Sequence, residues 1–180
     1  MLTIRLDNYN IRDSILKSIT NQEERLFFWM AEETSIFVGK NTITNSCDLP
    51  IIELPNAGGV IISGKGSMAT GYISHDLYNH FNEDFAAALK DWLLQKELTV
   101  TQMGNDILIN GYKVASSSTA RVNNMLFSAF HISFSVDLDL INTICTKRME
   151  KVPKGLEEFG ISQCELQDFF LNFINNYSTT

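Results

Sequence analysis

Gly104-Asn105-Asp106-Ile107-Leu108-Ile109-Asn110-Gly111-Tyr112-Lys113-Val114-Ala115-Ser116-Ser117-Ser118 sets an amide and a carboxylate before an apolar run, then a glycine-containing turn, a lone lysine and small hydroxylated residues. Strands at 106–110 and 112–117 meeting at that turn are the expectation. Upstream, Pro55-Asn56-Ala57-Gly58-Gly59-Val60-Ile61-Ile62 opens another apolar run with a glycine pair. Each segment has a plain reading: a hairpin for the first, a tight turn or bulge for the second. Together they also suit an anion pocket. Glycines bring backbone N–H groups close to a ligand, and Lys113 adds a compact positive charge with three donors. Asn105 and Asp106 have the chemistry to hold a metal ion or the polar edges of a nucleotide.

Outward from there, the periodicities describe helices on a sheet. Residues 8–20 read as a helix with Ile11, Ile15, Leu16 and Ile19 at apolar spacing. Strands at 24–30 and 34–39 follow across an acidic turn, and 60–62 with 69–74 suggest a hairpin through Gly64-Lys65-Gly66. A helix at 79–96 carries Phe85, Leu89, Trp92, Leu93 and Lys96 on one stripe, with Glu83 and Asp84 in its first turn. After a strand at 98–103 and the central pair comes a long one from Met125 to Val136, one face core and the other, with Phe127, His131, Ser133 and Ser135, suited to line a cleft. Asp137 reads as a helix cap, although Asp137 and Asp139 together have cation-binding chemistry. Ser162-x-x-Glu165 is a capping box before Leu166, Phe169, Phe170, Phe173, Ile174 and Tyr177.

With 180 residues, 44% of them hydrophobic, three Pro and ten Gly, the expectation is one domain spanning 1–180. A net charge of −7 argues against nucleic acid as the main partner. Lys147, Arg148, Lys151 and Lys154 alternate with Glu150, Glu157 and Glu158 and read as a solvated surface. Cys47, Cys145 and Cys164 suggest neither a zinc site nor a disulfide framework, and His75, His80 and His131 share no ligand spacing and read as exposed or capping. With no apolar run of about 20 residues and no signal pattern, a cytoplasmic protein without membrane contact is expected.

The chain resembles the lipoate-protein ligase family over roughly residues 15–177. Leu26-Phe27-Phe28-Trp29 with Ser35 to Asn41 is similar to the family's opening strands, Gly58-Gly59-Val60 to its glycine-rich loop, and Gly66-Ser67 to its Gly-Asn. Asn105-Asp106-Ile107-Leu108-Ile109 and Gly111-Tyr112-Lys113-Val114 match its Asn-Asp strand and its lysine motif, and Ile132–Leu138 and Gly160-Ile161-Ser162 match its later strand and last helix. The resemblance implies an α+β fold with a mixed, largely antiparallel sheet covered by helices, as in biotin and lipoate ligase catalytic domains. It also implies lipoyl or octanoyl transfer to a lysine of a lipoyl-carrier domain, from a carrier or through an acyl-adenylate made with ATP and Mg²⁺. Gly58, Gly59 and Val60 then hold the adenylate, Asn105 and Asp106 face phosphate and metal, Ser116 stands in the small-residue stretch after the lysine, and Lys113 bridges carboxyl and phosphate.

The pattern departs at four places. Glu53-Leu54 stands for the family's arginine pair, Ala57 for a loop glycine, Ser116-Ser117-Ser118 for the Gly-Ser-Ala after its lysine, and Ser128-Ala129-Phe130 for its His-His-Gly. Two functions are therefore carried forward: acyl transfer without an accessory C-terminal domain, and a catalytically inactive member acting in binding or assembly.

Overall fold

The protein is described by a computed structural model covering residues 2–6, 11–39, 44–45, 47–54, 60–145 and 149–177, with only the backbone for 2–6. Seven strands form the main sheet. In chain order these are β1 (Leu2–Leu6), β2 (Arg25–Met30), β6 (Met68–Ser74), β7 (Val100–Met103), β8 (Asp106–Ile109), β9 (Tyr112–Val122) and β10 (Met125–Ile132). They lie side by side as β1-β2-β6-β10-β9-β8-β7, parallel only between β1 and β2. A second sheet, β4-β3-β5, is built from β3 (Ser35–Gly39), β4 (Ile51–Leu54) and β5 (Val60–Ser63). The mixed, largely antiparallel α+β class read from the sequence is the one observed.

One face of the main sheet is covered by α2 (Phe81–Leu94) and α4 (Gln163–Tyr177). Phe85, Leu89 and Leu93 are fully buried, because residues four apart stack along one helix face. Phe85 meets Phe130 of β10 at 4.8 Å and Phe173 of α4 at 4.7 Å, joining sheet and helices in one aromatic cluster. The expected capping box starts α4: the Ser162 N–H donates to Glu165 at 2.8 Å, and the Glu165 N–H donates back to Ser162 Oγ at 3.3 Å. The opposite face packs against α1 (Ile11–Thr20) and the small sheet through Ile11, Ile15, Phe27, Trp29, Phe37 and Phe127. A short helix α3 (Leu138–Ile144) is capped by Asp137, whose carboxylate accepts from the Leu140 N–H at 2.9 Å.

Four strand expectations change. β2 and β3 do not pair with each other, since the chain leaves the main sheet after Met30 and β3 joins the small one. For the same reason β5 and β6 are no hairpin; Gly64-Lys65-Gly66 is the crossing between sheets, and a Cβ on Gly64 would collide with the Ser135 backbone. β10 ends at Ile132, four residues short of the expected end at Val136, and is buried on both faces, with Phe130 and Ile132 among the helices and Phe127 and Ala129 toward the small sheet. β9 runs on to Val122, beyond the expected 117. The first residues of the expected 8–20 helix lie outside the described residues.

Candidate functional site

The site grows from the β8–β9 hairpin. Asn110 and Gly111 take positive φ angles of 51° and 84°, the pair of left-handed residues that a tight two-residue hairpin requires. Lys113 therefore stands opposite Leu108, while Ser116 stands opposite Asp106. Lys113 and Ser116 are three apart, so an even strand would point them to opposite faces. A register shift at Ile107/Leu108 absorbs one residue, Val114 turns into the core, and both side chains reach the same side. β10 contributes its own residue there: His131 pairs in register with Ser116.

A cavity of about 320 Å³ opens on this side, between β9, β10, β5 and α3. Its apolar wall is Val60, Ile61, Ile62, Val136, Ile141 and Met149. Its polar end is Asp106, Lys113, Lys151, Ser116 and His131. Asp106 binds two ammonium groups at once, Lys113 Nζ to Oδ1 at 2.9 Å and Lys151 Nζ to Oδ2 at 2.6 Å. Burial pushes this carboxyl up, but hydrogen bonds from Lys151 and Lys113 and their charges outweigh it and hold it below the usual value. One carboxylate between two cations leaves a local positive excess that favours an anion, with Glu150 exposed at the rim.

Lys151 corrects the reading of 147–154 as a solvated surface. Its segment lies alongside the start of β9: the Lys113 N–H donates to Val152 O at 3.0 Å, and the Lys154 N–H donates to Lys113 O at 2.9 Å. Gly155 makes this possible, because any Cβ there would collide with the Phe134 carbonyl. No helical or strand spacing links 151 to 106. The one signal in the sequence is Pro153, which favours an extended residue before it. Lys147 and Arg148 lie outside the described residues.

His131 is also corrected: it is buried, not exposed or capping. Its Nε2 lies 3.1 Å from Ser63 Oγ, across the gap between the two sheets. Burial, reinforced by the charge of Lys113, pushes its pKa down to about 3, so the ring is neutral at neutral pH. Cys145 lines the cavity as a thiol, its pKa raised by burial, which makes it a poor nucleophile.

Of the residues picked from the sequence, Val60, Asp106, Lys113 and Ser116 come together here. Asn105 does not: it lines a separate polar cleft toward α2, with Asn82, Glu83 and Ser117. Gly58 and Gly59 lie outside the described residues. Among the described residues no three His, Cys, Asp or Glu side chains converge as a metal cage, and no helix is long and apolar enough to cross a membrane.

The model of the lipoyl protein ligase A/B catalytic domain family matches residues 5–173. A lipoate–protein ligase 1 of Staphylococcus aureus is 23% identical over 178 residues, covering 90% of this chain and 53% of the relative. The chain thus spans about half the length of that curated relative. Among solved structures, a bipartite lipoate protein ligase of Thermoplasma acidophilum, analysed with its E2 lipoyl domain, superposes with a TM-score of 0.73 at 14% identity, covering 94% of this chain and 79% of its own. A lipoate-protein ligase A bound with ATP gives 0.68 at 14% identity, with coverages of 94% and 80%.

Proposed function

The chain belongs to the lipoyl protein ligase A/B catalytic domain family, and we propose that it binds a lipoyl or octanoyl group and passes it to a lysine of a lipoyl-carrier domain. The observation that carries this reading is one cavity with an apolar wall at one end and a lysine pair sharing Asp106 at the other. An acyl chain lies along Val60, Ile62, Ile141 and Met149, and its carboxyl end meets Lys113. The volume falls within the range of about 300–1,000 Å³ usual for small-molecule sites.

Lys113 and Lys151 fit a phosphate, since each offers an ammonium held at the cavity and Asp106 can neutralise only one of them. Bound ATP would supply the activation of the carboxyl, as an acyl-adenylate formed with release of pyrophosphate. Asp106 is the cavity carboxylate that would hold a Mg²⁺ accompanying ATP, and doing so would require it to release one of the two ammonium groups now on its oxygens. In transfer, Lys113 stabilises negative charge developing on the acyl oxygen or its leaving group. Its place is fixed in advance by the hairpin and by the backbone bonds to Val152 and Lys154.

The test is acyl transfer to a lipoyl-carrier domain, from free acid with ATP and from preformed acyl-adenylate. Lys113→Ala is expected to lower transfer about 10²–10³-fold, the usual loss for a donor at developing charge, with an unchanged melting temperature. Full activity in the variant removes Lys113 from the mechanism.

A binding or assembly role is the second reading. The observation favouring it is the position of the family's arginine pair: Leu54 is buried in the core and Glu53 is an exposed acid, so neither provides a cation. Wild-type inactivity in both assay formats supports this role.

A further inference from the structure

The polar end of the cavity has an order across the main sheet. His131 on β10 pairs with Ser116 on β9, Ser116 with Asp106 on β8, and Asp106 with Met103 on β7, the last strand of the sheet. Lys113 comes to Asp106 from β9, the inner side. Lys151 reaches the outer side as well, its Nζ lying 2.6 Å from Asp106 Oδ2 and 3.4 Å from the carbonyl of Met103, whose side chain is exposed. The two ammonium groups are therefore not equivalent.

Lys151 has a donor to spare and a fixed place. An ammonium carries three N–H groups; Asp106 and the Met103 carbonyl take two and leave one for a ligand. The residues after it bracket Lys113, through the Lys113 N–H to Val152 O and the Lys154 N–H to Lys113 O, so the two lysines share one backbone register. With Leu54 buried in the core and Glu53 an exposed acid, β4 adds no cation to them.

Activation of an acid shifts its charge along the molecule. A free acid holds the negative charge on its carboxylate. In an acyl-adenylate that carbon belongs to a neutral acyl group, and the charge sits on the phosphoryl oxygens, farther from the alkyl chain. An alkyl chain against the apolar wall with its acyl oxygen at Lys113 puts those oxygens toward the sheet edge, on the side of Lys151.

We propose that Lys151 is the specificity residue for the activated acyl group, taking the phosphoryl charge while Lys113 takes the acyl oxygen. This assignment rests on the acyl-binding reading above. As a compact point charge, an ammonium suits a phosphoryl oxygen, and a hydrogen bond between charged groups is stronger than one between neutral groups.

The experiment is calorimetric titration of two probes, octanoate and the octyl phosphodiester of AMP, into wild type, Lys151→Ala and Lys151→Met, with thermal melts to establish folding. The phosphodiester keeps the phosphoryl charge and cannot acylate. Lys151→Met retains an unbranched apolar stem and removes the ammonium, so a loss there belongs to the charge. Expected is a fall of about tenfold or more in the ratio of phosphodiester to octanoate affinity in both variants. An unchanged ratio in folded Lys151→Met, whether both affinities hold or both fall together, overturns the proposal and leaves the acyl reading standing. Wild type that binds octanoate and not the phosphodiester does the same. No binding of either probe by folded wild type overturns both.

Discussion

The two faces of the seven-stranded sheet do different jobs with nearly the same strands. Toward α2 and α4 the sheet meets a closed aromatic cluster, in which Phe85 alone has ring contacts with Phe81, Phe130, Phe169, Phe170 and Phe173. Toward the small sheet the packing is interrupted by a cavity, and the side chains there are Asp106, Lys113, Ser116 and His131. Alternation along β8, β9 and β10 serves both faces, so a single bulge decides which residues join the site. Both faces bury a core, but only the one toward the small sheet also carries the polar cavity. Mutations should separate them.

The largest expected effect is on the helix side. Phe85→Ala removes a fully buried ring and should cost about 3–5 kcal/mol by chemical denaturation. A loss under about 1 kcal/mol would mean that the cluster can collapse around the gap and that the contrast between the faces is overstated.

The next effect belongs to the cavity side and appears in pH. His131 has a folded pKa near 3, depressed from an unfolded value near 6.5. Between these values the unfolded chain binds the extra proton, so stability rises with pH, is fully present above about 6.5 and is lost as pH falls toward 3. Unfolding free energy measured from pH 6.5 to 5 should drop by about 1–2 kcal/mol in wild type. The drop should vanish in His131→Gln. A slope that persists in the variant would place the titrating group elsewhere.

The smallest effect lies at the end of α4. Ser162→Ala breaks the capping box and should cost about 1 kcal/mol without touching ligand binding, because neither Ser162 nor Glu165 lines the cavity. A change in ligand affinity would show that the two faces are coupled through the helix.

Much of this architecture was legible in advance, for reasons that differ by element. The Ser162–Glu165 box, the Asp137 cap and the Asn110-Gly111 turn are local chemistry and are read within a few residues. The crossings between sheets are not local. β2 and β3, or β5 and β6, carry the same apolar content whether they pair with each other or with strands elsewhere, so sequence order suggested hairpins that the packing replaced. The site divides likewise. Lys113, Asp106 and Ser116 follow from the hairpin and the family resemblance, whereas Lys151 arrives on an irregular segment whose docking depends on Gly155 and the backbone of Lys113. His131 lay on the face expected to line a cleft, but its burial required knowing that the small sheet closes over it.

The central claim is that the lysine pair on Asp106 makes this cavity an acyl-anion site. It is tested most directly by calorimetric titration of a non-hydrolysable lipoyl-adenylate mimic into wild type and Lys113→Ala. The account predicts wild-type dissociation constants between about micromolar and millimolar, about −8 to −4 kcal/mol, and a loss of about tenfold or more in the variant. Equal affinity in the two proteins, or no binding to wild type at millimolar mimic, would contradict it.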